Sequence, residues 1–153
     1  MARTIWLLRH GDAEPDRGGD DFGRVLTGRG EREARAAGLV LAGLGARIET
    51  AWTSPRVRAR DTARLACTAL DAEPRIHEPL AGGFTERDLD ELVAGSSADA
   101  TLLLVGHEPD LSALVGARTG ARAAMHTGGL AAISGGWLLA LLGPGEIQLI
   151  AGV

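Results

Sequence analysis

Residues Thr4–Gly11 read TIWLLRHG. A short apolar run stops at Arg9-His10-Gly11, as a buried strand does when a turn ends it. The segment Thr101–Pro109 repeats the form: TLLLV, the clearest buried strand in the chain, then Gly106-His107-Glu108-Pro109. A third short strand, Thr50–Thr53, ends in Ser54-Pro55.

Between and after these strands lie helical patterns. Thr27 is placed to cap a helix from Gly30 to Leu44, with Ala34, Ala37, Leu41 and Leu44 on one face and Gly43 and Gly45 at its end. Ser54 reads as the cap of a second helix, with Pro55 in its first position and Ala59, Ala63, Ala66, Cys67 and Leu70 inward. A weak strand at Arg75–His77 and a short helix at Glu86–Val93 come next. A further helix runs from Pro109 to Ala117, with Leu111, Leu114 and Val115 inward. The C-terminal part reads as three strands, Leu130–Ile133, Trp137–Leu142 and Glu146–Ile150, joined by the turns Gly135-Gly136 and Gly143-Pro144-Gly145. The alternation predicts a three-layer α/β/α fold, with a mainly parallel central sheet and an antiparallel edge. Residues 1–153 fit one domain.

Composition narrows the function. The net charge of −4 and the 3% aromatic content argue against nucleic-acid partners. The lone Cys67 excludes a disulfide framework or a multi-cysteine metal site, and it sits among core positions. No apolar run has the length of a membrane span and no signal-peptide core follows Met1, so the cytoplasm is the expected compartment. All 16 basic residues are arginine. Schiff-base chemistry and lysine-containing phosphate loops are thereby excluded.

Ligands of open α/β sheets bind beyond the carboxyl ends of the strands. Two histidines, His10 and His107, and several arginines converge on that edge in this sequence. The histidines show no metal-ligand spacing, and neither a metal nor a cofactor is expected. Arginine forks with imidazoles suit a phosphate group, whose oxygens take charge-assisted hydrogen bonds. Arg56 and Arg60 share one helix face while Arg58 points almost the opposite way, so periodicity alone does not choose among them.

The ordered set of motifs resembles the histidine phosphatase superfamily, and within it the short SixA-type phosphohistidine phosphatases. The matching segments are Arg9-His10-Gly11, Arg24-Val25-Leu26-Thr27, Ser54-Pro55-Arg56-Val57-Arg58-Ala59 with Thr62-Ala63, Val105-Gly106-His107-Glu108-Pro109, and Thr127-Gly128-Gly129-Leu130-Ala131. They cover nearly the whole chain. The resemblance implies a phosphoglycerate mutase-like fold and selects Arg58 as the phosphate-binding arginine, leaving Arg56 and Arg60 as solvated or rim residues. It implies a catalytic set of Arg9, His10, Arg58 and His107, with neutral His10 forming a covalent phosphohistidine. Arg9 and Arg58 should oppose protonation of His10. Arg24, Glu78 and Thr127 are candidate substrate contacts.

Larger members of the superfamily protonate the leaving group with an acidic residue. Glu78 is the nearest carboxylate in the corresponding segment, and no motif supports it. An imidazole leaving group needs less help than an alkoxide, so the expected substrate is phosphohistidine on a protein. A small phosphomonoester is the alternative, and a non-catalytic phosphate-binding adaptor is a third reading. His77 and His126 match no catalytic position, and Glu108 is expected to cap a helix or line the rim.

Overall fold

The two apolar runs that end in histidine are neighbours. In the computed structural model, which describes residues 2–153, β1 (Thr4–Arg9) pairs in parallel with β4 (Thr101–Gly106), from Thr4 against Thr101 to Arg9 against Gly106. With β2 (Ile48–Thr53), β3 (Pro74–Ile76), β5 (Leu130–Ser134) and β6 (Trp137–Leu142), they form one sheet in the order β3-β2-β4-β1-β5-β6. The first four strands of that order are parallel. β5 runs antiparallel to β1, and β6 antiparallel to β5.

Side chains alternate strictly between two cores. On one face Trp6, Leu8, Leu103 and Val105 meet α1 (Gly28–Gly43), α2 (Val57–Cys67) and α5 (Pro144–Ala151). On the other, Ile5, Leu7, Leu102 and Leu104 pack with Leu80, Leu89, Leu111 and Val115 from the 3-10 turn Glu78–Ala81, α3 (Glu86–Ala94) and α4 (Asp110–Thr119). Strands buried on both faces read as continuous apolar runs, which is why TIWLL and TLLLV look as they do. Each fully buried leucine contributes roughly 1.5–3 kcal/mol of transfer free energy. β6 lies at the edge and alternates exposed with half-buried residues.

Helix starts follow local chemistry. Thr27 accepts the Gly30 N–H and caps α1. Thr85 and Asp88 form a capping box on α3. Two expectations are corrected. Glu146–Ile150 is not a strand but part of α5: Gly143 stands at its N-cap, Pro144 opens it, and Ile147 is buried against the first core. The short apolar run was ambiguous, and packing against α1 decides it. The second helix starts at Val57 rather than at Pro55, and Ser54 does not cap it. Among the described residues no helix is long and apolar enough to cross a membrane.

Helices α1 and α2 touch backbone to backbone at Gly38. A Cβ there would lie 2.1 Å from the carbonyl oxygen of Ala66. Gly38→Ala should therefore destabilise the fold by about 2 kcal/mol in urea unfolding, because one helix has to move off the other. Gly43→Ala, in the last turn of the same helix with open space around it, should be neutral or slightly stabilising.

Candidate active site

Parallel pairing brings the residues that follow β1, β2 and β4 to one edge. The hydrogen-bond ladder continues past the strands: His10 N–H donates to Gly106 O at 3.1 Å, and Ser54 N–H donates to Val105 O at 3.0 Å. From the other side, Gly128 N–H donates to His10 O at 2.9 Å. The imidazoles of His10 and His107 stand with ring centroids 5.2 Å apart.

His10 is 7% exposed. Its Nδ1 lies 2.8 Å from the carbonyl oxygen of Gly11. A carbonyl only accepts, so Nδ1 carries the proton and Nε2 keeps its lone pair. Arg58 Nε–H points at that Nε2 from 3.4 Å. Burial lowers the His10 pKa to about 4; the Gly11 bond, next in size, opposes it, and the charges of Arg58, Arg9 and Arg24 add to the lowering. The ring is thus uncharged at neutral pH.

The backbone around it is tightly held. A Cβ on Gly11 would sit 2.5 Å from Gly30 O, so the residue after His10 lies directly on the start of α1. Thr62 Oγ1 accepts the Gly11 N–H at 3.0 Å and donates to Arg58 O at 2.7 Å. One hydroxyl thereby ties the His10 turn to the helix that carries Arg58. Glu33 on α1, only 1% exposed, accepts the Asp12 N–H at 2.8 Å. Burial raises the pKa of its carboxyl.

Arg58 projects inward from the first turn of α2 and is buried, while Arg60 is exposed. Its Nη1 donates to Asp21 O at 2.8 Å, and its Nη2 lies 3.3 Å from Asp21 Oδ2. Burial lowers the Arg58 pKa and the Asp21 charge opposes that shift. Asp21 also pairs with Arg56 at 2.7 Å and with Arg24 at 3.2 Å. The hydrogen bond from Arg24, with smaller effects of Arg58 and Arg56, holds its carboxyl below the usual range. The 13–23 loop is so clasped across the site. Of the two expected places for Arg56, solvent or rim, it takes the rim, where it also donates to Ala81 O at 2.8 Å.

His107, 8% exposed, sits 2.7 Å from Ser54 Oγ through Nε2. Burial first, then His10, Arg58 and Arg56, lowers its pKa to about 3. Arg9 donates to Met125 O at 2.9 Å, and its Nε is buried with no protein partner. Arg9 and Thr127 line a cavity of about 620 Å³, with Arg29, His126, Leu141 and Glu146 among its other walls. The structure thus sets Arg58 and His107 directly beside His10, brings the charges of Arg9 and Arg24 to bear on it, and puts Thr127 in the cavity wall next to Arg9.

Glu78 does not join them. It is exposed in the 3-10 turn after β3 and makes no hydrogen bond to any of the four central residues. Glu108 accepts Ser112 N–H at 2.9 Å in the first turn of α4. His77 packs edge-on between Trp52 and Phe84. Cys67 is a core thiol whose pKa burial pushes up to about 11. Sequence reasoning offered Asp21 only as a partner of Arg24, without its reach to Arg56 and Arg58, missed Glu33, and read Ser54 as a helix cap. Their partners are distant in the chain, and only the spacing of Ser54, Arg58 and Thr62 hinted at a shared direction.

Two uncharged imidazoles thus stand among arginines at the strand ends of this sheet. Residues 5–93 match the family model of the histidine phosphatase superfamily, branch 1, and the chain is a member of that family. An uncharacterized protein of Picosynechococcus is 39% identical over 112 residues, spanning 70% of this chain and 67% of that one. Among solved structures, the protein histidine phosphatase SixA complexed with tungstate superposes with a TM-score of 0.84 at 22% identity, covering 94% of this chain and 99% of that one. A candidate phosphohistidine phosphatase SixA from Nakamurella multipartitia gives a TM-score of 0.75 at 29% identity, covering 99% and 91%.

The lowered histidine pKa values have a consequence for stability. His10 titrates near 4 in the folded chain and near 6.5 unfolded, so the unfolded chain binds more protons between those values. Stability is unaffected above the unfolded pKa and is lost as pH falls from about 6.5 to 4, by up to roughly 3 kcal/mol from this group. Urea unfolding at stepped pH should show a shallower acid loss in His10→Gln than in wild type.

Proposed function

We propose that the protein is a metal-independent phosphatase that removes phosphate from phosphohistidine on another protein, through a covalent phosphohistidine on His10. The observation that carries this reading is the state of His10: neutral, with an unprotonated Nε2 that faces the Arg58 guanidinium. In the first step the Nε2 lone pair attacks phosphorus in line with the leaving group. A new N–P bond forms, and the bond to the leaving nitrogen breaks with its electron pair, releasing neutral imidazole from a substrate ring already protonated on its other nitrogen. Arg58, Arg9 and Arg24 stabilise the charge spread over the equatorial oxygens, and positioning does the rest. Water then attacks the phosphorus, releasing inorganic phosphate and restoring His10.

The carboxylates near the site favour the phosphohistidine substrate. Asp21 is held ionised by three arginines and is a poor proton donor. Glu108 is engaged with Ser112, and Glu78 is exposed. An imidazole leaves readily without a strong acid beside it, whereas an alkoxide does not. The likeness to proteins described as phosphohistidine phosphatases agrees with this choice. One observation favours the second reading, a small phosphomonoester: the cavity beside Arg9 has room for a compact organic group.

Phosphate release from a phosphohistidine-bearing carrier protein and from p-nitrophenyl phosphate tests both readings. His10→Ala should reduce turnover to background, and Arg58→Ala should lower it roughly 10²–10³-fold. Glu78→Gln should leave the rate unchanged. A preference for p-nitrophenyl phosphate, or loss of activity in Glu78→Gln, would favour the small-ester reading. Vanadate binding without turnover of either substrate would point to an adaptor.

A further inference from the structure

We infer that Ser54 is a positioning residue that fixes the tautomer of His107, so that His107 offers Nδ1–H to the phosphoryl group as a neutral donor. The inference rests on the phosphatase reading for its target, but the tautomer itself does not. Ser54 is 0% exposed, so its hydroxyl has no water to turn to. Its Oγ accepts the Arg56 N–H at 3.1 Å and has one hydrogen to donate. Its other hydrogen-bond contact is His107 Nε2, at 2.7 Å.

Two arrangements are open. If His107 carries its proton on Nε2, the serine oxygen accepts twice. The serine hydrogen then has no acceptor, and Nδ1 becomes a buried lone pair without a donor. If the proton is on Nδ1, Ser54 O–H donates to Nε2, and every polar atom of Ser54's side chain is satisfied. A single orphan remains, the Nδ1–H, which is buried and has no protein partner. Leaving buried polar atoms unpaired is costly, so the arrangement with one orphan wins over the arrangement with two.

The orphan then has a purpose. The rings of His107 and His10 stand with centroids 5.2 Å apart, so on the phosphatase reading a phosphoryl group carried on His10 is within reach of His107. An N–H there binds an anionic oxygen, whereas a lone pair in the same place repels it. A low pKa keeps the ring uncharged, so its tautomer decides whether it helps or hinders. In sequence Ser54 looks like a helix cap; in the fold it aims its hydrogen at an imidazole 53 residues away.

The test reads the tautomer directly. Long-range proton–nitrogen NMR of the ligand-free protein should show His107 as the Nδ1–H form in wild type. In Ser54→Ala it should move toward the Nε2–H form. Orthovanadate should bind Ser54→Ala about tenfold more weakly, with kcat for phosphate release falling more than KM rises, and Ser54→Thr should recover part of both. Wild-type His107 in the Nε2–H form would overturn the inference, and that measurement needs no variant to fold. An unchanged tautomer in a folded Ser54→Ala would overturn it too. A shifted tautomer with unchanged vanadate affinity would sink the role toward the anion. Failure of the wild type to bind vanadate, with the Nδ1–H form present, would instead count against the phosphatase reading.

Discussion

The in-register parallel pairing of β1 with β4 is the constraint on which the rest depends. Arg9 lies opposite Gly106, so the next residue on each strand is a histidine. Parallel strands present their carboxyl ends at one edge, and both rings therefore arrive together. A slip by one residue would exchange the two faces of β1 and bury its side chains in the wrong cores. The strict division of Trp6 and Leu8 from Ile5 and Leu7 makes such a slip costly. Hydrophobic burial thus sets a distance on which the chemistry relies.

Electrostatics then act on what packing has assembled. Burial removes water from two imidazoles, and arginines surround them, so both stay neutral where an exposed histidine would begin to charge. Arg24, Arg56 and Arg58 find their counter-charge in Asp21. Because Asp21 belongs to the 13–23 loop, charge balance also holds that loop over the site. A phosphoryl group entering the site would compete with Asp21 for the same guanidinium groups.

A third level is mechanical. Gly11 lies against Gly30, Thr62 links the His10 turn to Arg58, and Glu33 holds the Asp12 N–H. These groups touch no reacting atom in the proposed chemistry. They limit how far the nucleophile and its arginine can drift apart, and in a reaction governed by positioning that limit matters.

The sequence by itself determined the layered fold and singled out Arg9, His10, Arg58 and His107 as candidates. Those features rest on local signals: apolar runs of strand length, a histidine beside glycine at the end of each, and ordered motifs that resemble a family. The start of α1 at Thr27 was legible for the same reason, since a cap bonds within its own turn. What depended on contacts between distant segments was not legible. Glu146–Ile150 has an apolar pattern that suits strand or helix, and only its seat against α1 made it α5. Ser54 has the sequence position of a cap, yet its hydroxyl went to His107 because β2 and β4 are adjacent in the sheet. Asp21 carries no motif, and its role came from three arginines meeting it from α1's approach and α2's start. Hydrogen bonds and ion pairs across the fold are set by where strands and helices come to lie. Tertiary packing alone decided that, because the partners share no local period that a linear pattern can display.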